Sequence, residues 1–307
     1  QVSQHIYTKV TLYIIYMKKI YTIIAALAIA TGATAQSFTV HTKDGKTVKY
    51  HCSDVDSISF DNEKEPEVVA PRIGDIYYSD GTWSTNLKEG ATPIGIVFRV
   101  GIASDMSDRE AFYTKKDGVT PFDEFHGYVV ALRDATAKDD TNEGVWWSAF
   151  DSKFTGTGAS TNTADFLGYT NTQSIVETAI RDKGELNGST NNYPATYYAT
   201  TVYEQTCPAP ESSSGWFLPA AGQMEYLFDR VYFDEDGSGR SCVSATFELL
   251  TENLATPLYG PDSEYWTSTE KVDSYGTSTW AYYFSFDSSQ FKPGFVAAYR
   301  KNSEIRV

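Results

Sequence analysis

The chain has 307 residues, of which 41% are hydrophobic and 21% charged, so it is long and apolar enough to form a globular core. The first 35 residues carry three basic and no acidic side chains, which leaves 22 basic against 40 acidic residues, a net charge of −18, in the remainder. Because nucleic-acid binding requires a basic surface, this charge excludes a nucleic acid as the partner.

Residues 1–35 are predicted to be an upstream extension followed by a secretory signal peptide, Met17–Ala35. Lys18 and Lys19 form its positive end, the apolar run 20–30 is too short to span a membrane, and residues 33–35 form an A-x-A cleavage site. We therefore expect the mature chain to start at Gln36. Because the residue directly after the cleavage site is Gln36 and not a cysteine, we expect a secreted or outer-surface protein that has no lipid anchor and is not a transmembrane protein.

Residues 36–61 are predicted to form a short β unit. Phe38–Thr42 and Thr47–Tyr50 alternate polar and apolar residues around a Lys-Asp-Gly-Lys turn, which indicates a β-hairpin. A third alternating segment, 54–60, follows. The unit resembles the short N-terminal segment of many exported proteins of gut Bacteroidetes-type bacteria. An acidic, proline-bracketed linker is predicted at 62–72.

Residues 73–307 are predicted to form the main domain. Strands are predicted within 74–84, at 93–100 and at 127–134, and 93–100 is apolar enough to be central and buried. After a Gly/Ser/Thr-rich loop over 150–171, helices are predicted around 175–180 with Gly184 as the stop, from Pro194, and over 244–254. Strands at the front, helices in the middle and strands at the end predict an α+β fold.

The last third of the chain organises this domain. Residues 215–218 are predicted to be a strand end that runs into a helix at Pro219, and Met224, Leu227, Phe228 and Val231 then give one apolar stripe. In the segments 265–270, 279–286 and 300–307, aromatic and hydroxyl residues alternate. This pattern predicts short antiparallel strands with one buried face.

The cysteine and histidine spacing argues against a metal site. Cys207 and Cys242 could pair in an oxidising compartment, which would leave Cys52 without a partner. The three histidines after residue 36 are far apart in sequence and no C-x-x-C motif exists, so we expect no cofactor and no metal. The acidic run 234–239 resembles the first half of a calcium loop but lacks the distal glutamate, and is interpreted as a turn.

The sequence does not favour an enzyme. It has no G-x-S-x-G nucleophile motif, and His126 is interpreted as structural. Glu225, Asp229 and Glu270 could supply a carboxylate pair for glycoside hydrolysis, but an acidic chain offers many such pairs. A non-enzymatic protein is therefore expected.

Several segments together resemble a known family: 74–84, 93–97, 127–135, Gly215–Pro219, Tyr265–Glu270 and the Arg-Val ending. They are similar to the Fibrobacter major paralogous domain, which is related to the legionella-collagen-like C-terminal domain. The resemblance implies a C-type-lectin-like fold, as in the variable proteins of diversity-generating retroelements. It also implies an exported recognition module that presents C-terminal side chains to a ligand.

The candidate ligand-binding residues follow from this resemblance and from their chemistry, since tyrosine and hydroxyl side chains make adaptable recognition surfaces. They are Tyr275, Thr279, Tyr282, Tyr283, Ser285, Phe291 and Tyr299, with Phe295 beside them. Strand alternation requires part of this set to point inward, and Trp280, Phe284 and Phe286 are assigned to the core. Trp83, Trp146 and Trp147 are a second candidate platform, for glycan stacking.

The predicted function is surface recognition or adhesion, with an extracellular protein or glycan as the ligand. The alternative is a structural or assembly subunit of a surface appendage or polysaccharide-associated complex, which would associate with other surface proteins. A large apolar patch on the C-terminal face would favour assembly, and a polar, tyrosine-rich face would favour ligand recognition.

Overall fold

In a computed structural model, the chain divides into two compact units, residues 1–68 and 69–307. The structure describes residues 37–41, 45–51, 70–135, 144–149, 151, 154–232, 242–251, 254–256, 264–286, 296–300 and 305–307. In the first unit these residues form the predicted hairpin, in which β1 (Ser37–His41) pairs antiparallel with β2 (Thr47–His51). The third predicted segment, 54–60, the acidic run 234–239 and most of the predicted linker lie outside the described residues.

The second unit contains two antiparallel sheets. Their strands are β3 (Ile76–Tyr78), β4 (Trp83–Ser84), β5 (Pro93–Val100), β6 (Gly127–Ala131), β7 (Glu264–Lys271), β8 (Trp280–Ser285) and β9 (Val296–Arg300). The front sheet has the order β4-β3-β5-β6, and the C-terminal sheet has the order β7-β8-β9. As predicted, β5 covers 93–100 and lies between two partners.

The helices fall between the two groups of strands. They are α1 (Gly168–Lys183), α2 (Pro194–Tyr197), a π-helical turn (Tyr198–Val202), α3 (Tyr203–Thr206), α4 (Ala221–Tyr232) and α5 (Cys242–Thr251). The mixed α+β class is therefore confirmed. Within the described part of the chain, none of these helices combines the length and the apolar character that crossing a membrane demands.

Helix α1 ends where the sequence predicts and begins earlier. Gly184 adopts the left-handed conformation (φ 84°), and its N–H donates to Ile180 O at 3.0 Å. The start lies at Gly168, inside the predicted loop, because the polar first turns are buried. Thr172 Oγ1, for example, donates to Gly168 O at 2.8 Å and accepts from Leu218 N at 3.1 Å.

The C-terminal sheet lies between two hydrophobic clusters. Tyr265, Phe284 and Phe286 belong to the first, with side chains of the front sheet and of α4 and α5. Trp266 and Tyr283 belong to the second cluster, with side chains of α1 and of residues 193–199. Successive side chains of β8 point alternately towards the two clusters, so β8 is buried on both faces.

A bulge in β7 fastens the hairpin to α4. The register shifts between Trp266 and Glu270, and the hydroxyl residues between them are fully buried. Ser268 N donates to Pro219 O at 2.7 Å, and Thr269 Oγ1 accepts from Ala221 N at 3.0 Å, at the first residue of α4. The segment 215–218, predicted to be a strand end, is irregular, and the backbone N and O of Leu218 bond to the Thr172 side chain of α1.

The suggested disulfide between Cys207 and Cys242 is not formed. Cys242 starts α5 and its Sγ lies 3.1 Å from Ile73 O. Cys207 is half-buried after α3, where burial raises the pKa of its thiol. The third cysteine, Cys52, lies outside the described residues.

Candidate functional site

The candidate site is the tip of the β7–β8 hairpin, residues 272–277. Tyr275 stands at its apex and is 89% exposed, the most exposed large hydrophobic side chain of the described residues. Val272 on the same turn is 43% exposed. A ring and an aliphatic side chain presented together to solvent are the usual content of a contact surface.

Asp273 determines the shape of the tip. Its Oδ1 accepts from Tyr275 N and Thr277 N, each at 2.9 Å, and its Oδ2 accepts from Thr277 Oγ1 at 2.6 Å. These bonds, the Thr277 hydroxyl first, hold the pKa of the Asp273 carboxyl below its usual range. Gly276 completes the turn at φ 77°, a conformation that glycine adopts without strain.

The root of the hairpin is built around a buried carboxylate, Glu270. Its Oε1 accepts from Thr157 N at 2.8 Å and from the Thr157 hydroxyl, and its Oε2 accepts from the Ser278 hydroxyl. Gly156 packs against the same carboxylate, since a Cβ there would lie 3.3 Å from Oε2. A charge removed from water is tolerated here because hydrogen-bond donors surround it.

The loop 154–160 connects this root to α1. Ser278 N donates to Phe154 O at 2.7 Å and Glu270 N donates to Ser160 O at 3.0 Å. From α1, Asn171 Oδ1 accepts from Ser160 N at 2.8 Å, while its Nδ2 donates to Ser268 Oγ at 3.1 Å. Hydrogen bonds therefore join three elements beneath the tip: the root of the hairpin, the loop 154–160 and α1.

At the start of the tip, a cation lies over an aromatic ring. Lys271 Nζ is 5.8 Å from the centroid of the Trp280 ring, across the first register pair of the hairpin. The ammonium covers part of a half-buried ring, so Tyr275 is the aromatic side chain of the tip that offers its faces to solvent.

The structure divides the predicted binding residues. Tyr275 is exposed and Tyr282 is half-buried. Thr279, Tyr283 and Ser285 are buried, which corrects their assignment to an exposed face. Tyr283 and Ser285 are in β8, which has a hydrophobic cluster on each side, and Thr279 directly precedes that strand. The backbone of Tyr299 pairs with Ala281, whereas Phe291 and Phe295 lie outside the described residues.

The three tryptophans do not share one surface environment. Trp147 is buried, and its Nε1 donates to Thr267 O at 2.8 Å. Trp83 is half-buried, with its ring centroid 4.9 Å from that of His126. Trp147 is therefore part of the core and cannot stack on a glycan at the surface.

The carboxylates considered for catalysis differ in environment. Glu270 is enclosed in the hairpin root, whereas Glu225 and Asp229 are exposed on α4. Among the residues that the structure describes, no three histidine, cysteine or acidic side chains converge as a metal site would require.

A second buried carboxylate, Asp134, lies near the opposite end of β7. It accepts from Tyr265 Oη at 3.0 Å and lies 3.7 Å from Arg306 Nη1. Burial raises the pKa of Asp134 to about 6, although Arg306 and Tyr265 oppose the increase. The adjoining C-terminal residues are in β bridges, Ile305 with Val145 and Arg306 with Tyr265.

Comparisons with known proteins find a likeness in fold. No family model matches the sequence, and the search of curated proteins gives no match. The crystal structure of a fimbrial protein from Bacteroides ovatus matches with a TM-score of 0.50 and 20% sequence identity. The match covers 77% of this chain and 48% of the fimbrial protein, so the chain spans about half of that protein's length. This chain thus shares its α+β fold with part of a fimbrial protein.

Proposed function

We propose that this protein is an exported subunit of a bacterial surface appendage. The observation that carries the proposal is the fold likeness to the fimbrial protein from Bacteroides ovatus over 77% of the chain. The signal-peptide pattern of Met17–Ala35 and the acidic composition agree with export. Partners would be other surface proteins of the same appendage.

At finer detail, we propose that residues 73–307 form a C-type-lectin-like domain. The support is the set of motifs in the sequence, together with the order of elements along the chain, in which helices α1 to α5 follow the front-sheet strands and precede the C-terminal strands. In a domain of this kind the core would hold the C-terminal hairpin, and the turn between its strands would face solvent. The tip 272–277 agrees with this expectation.

A second function, recognition of a protein or glycan ligand, is favoured by the tip itself. Tyr275 is almost fully exposed although the turn that carries it is fixed by five hydrogen bonds that involve Asp273. Binding through such a ring loses little conformational entropy because the backbone is already ordered. A subunit with this tip would assemble into the appendage and also bind a ligand through Tyr275.

The first experiment tests the location and the assembly. The full chain, carrying an internal epitope tag, is produced in its source bacterium, and surface filaments are sheared off and collected by sedimentation. We expect the tag in the sedimented filaments, on immunoblots and by immunogold labelling. A tagged protein found solely as a monomer, in the periplasm or in the medium, would contradict the appendage proposal.

The second experiment tests recognition separately. The secreted full-chain product is applied to glycan and protein arrays beside Tyr275→Ala and a matched control, Val119→Ala, in which an exposed side chain of a different turn is shortened. Saturable binding that Tyr275→Ala loses and Val119→Ala keeps is expected. Equal binding by all three proteins would refute a role for the tip, whatever the outcome of the filament experiment.

A further inference from the structure

The loop after α1 contains the sole Asn-Gly pair in the chain, Asn187-Gly188. Asn187 is half-buried and its side chain is held at both ends: Oδ1 accepts from Ser189 N at 3.0 Å, and Nδ2 donates to Glu185 Oε1 at 2.9 Å. Because residue 188 is a glycine, no side chain on it hinders the approach of its backbone nitrogen to the side-chain carbonyl carbon of Asn187. The site thus combines an unhindered nitrogen nucleophile with an amide that is hydrogen-bonded at both ends.

We propose that Asn187 is a self-modification site, at which the folded loop converts the asparagine into aspartate and isoaspartate. Gly188 N attacks Asn187 Cγ, a new N–C bond forms, and the Cγ–Nδ2 bond breaks with release of ammonia. The resulting succinimide is opened by one water molecule at either of its carbonyl carbons. No oxidant, reductant or further reactant is needed.

The two hydrogen bonds of the amide assist different parts of this reaction. The Ser189 N–H donates to the oxygen on which negative charge develops during the attack, so it stabilises the tetrahedral intermediate. The Glu185 carboxylate already contacts the leaving nitrogen, and it can transfer to that nitrogen the proton that Gly188 N gives up. Glu185 is therefore proposed as the proton carrier.

The modification would change the loop that supports α2. It replaces an amide donor with a carboxylate next to Glu185, so an attraction becomes a repulsion between like charges. The same Glu185 accepts, at its backbone oxygen, from Asn192 Nδ2 at 2.8 Å, directly before the buried Tyr193. An isoaspartyl linkage also lengthens the backbone beside Gly188, which packs against the rings of Tyr197 and Tyr198.

The test is peptide mapping by tandem mass spectrometry of the full folded chain during prolonged incubation in mildly alkaline buffer. We expect a mass increase of one dalton confined to the peptide with Asn187, partly as isoaspartate, and none in Asn187→Gln. Glu185→Gln keeps an acceptor for Asn187 Nδ2 but no proton carrier, so the reaction should slow by about tenfold.

A denatured sample of the same chain is the reference. If Asn187 deamidates in the denatured chain and stays intact in the folded one, the proposal is overturned. If the folded chain reacts and Glu185→Gln reacts at the same rate, the role of Glu185 is overturned. Asn187→Asp tests the consequence: faster amide hydrogen exchange over 185–192 is expected, and unchanged exchange would contradict the effect on the loop.

Discussion

The root and the tip of the β7–β8 hairpin use the same chemical group in opposite ways. At the root, the Glu270 carboxylate is buried and accepts hydrogen bonds from a loop more than one hundred residues away in sequence, so it joins separate parts of the fold. At the tip, the Asp273 carboxylate bonds to residues two to four positions ahead and shapes a local turn. The root carboxylate therefore holds the fold together, whereas the tip carboxylate determines the conformation of an exposed turn.

The largest effect is expected from Glu270→Ala. It leaves Thr157 N–H and the Thr157 and Ser278 hydroxyls without their acceptor in a buried position, which should lower the free energy of unfolding by about 4 kcal/mol. Urea denaturation measures the change, with Glu225→Ala on the exposed side of α4 as the control. A loss no greater than that of the control would show that the root carboxylate does not hold the loop.

The next effect concerns Asp134 and depends on pH. Its pKa, about 6 when folded, lies above the usual value of 3.8, so its favourable contribution is complete in acid and is lost as the pH rises through 6. Between about pH 4 and pH 7, the free energy of unfolding relative to Asp134→Asn should fall by about 2 kcal/mol. Parallel pH profiles of the two proteins would mean that Asp134 titrates normally.

A smaller effect is expected from Gly276→Ala at the tip. A Cβ at Gly276 meets no atom within 4 Å, but the φ of 77° strains any residue with a side chain, so about 1 kcal/mol of stability should be lost. Thermal denaturation checks this result against Ser274→Ala on the same turn. Equal stability of the two variants would show that the turn is not held in the left-handed conformation.

The smallest effect on stability belongs to Tyr275→Ala. Its ring is exposed, so the free energy of unfolding should change by less than about 0.5 kcal/mol, whereas ligand binding on the arrays should disappear. A large loss of stability would place the ring against the protein in solution, and would remove it from the list of contact residues.

Local patterns predicted much of this fold. The apolar run 93–100 is β5, and Gly184 ends α1 as its sequence position indicates. The exposure of the candidate site residues was harder to predict, because strand alternation alone predicts one solvent-facing side for β8. Tyr283 and Ser285 are buried since a second cluster covers that face, and this cluster includes side chains of α1 and of residues 193–199, far away in sequence.

The root could not be predicted from local sequence either. Glu270 was one acidic residue among 40, and nothing near it in the chain indicates that Thr157 donates to it. Tyr275, by contrast, lies two residues after Asp273 and directly before Gly276, so the turn that exposes it is encoded within a few residues. Short-range features were predictable, and contacts between distant segments were not.

The closed backbone pair below the tip also has a practical consequence. Asp273 N donates to Thr277 O at 2.9 Å, so the two ends of the turn are already joined before the apex is reached. A foreign peptide inserted between Ser274 and Gly276 would leave that pair and everything beneath it unchanged. If the protein forms filaments, the same position would display the inserted sequence in many copies along each filament, which makes this turn a place to graft an antigen or an affinity tag.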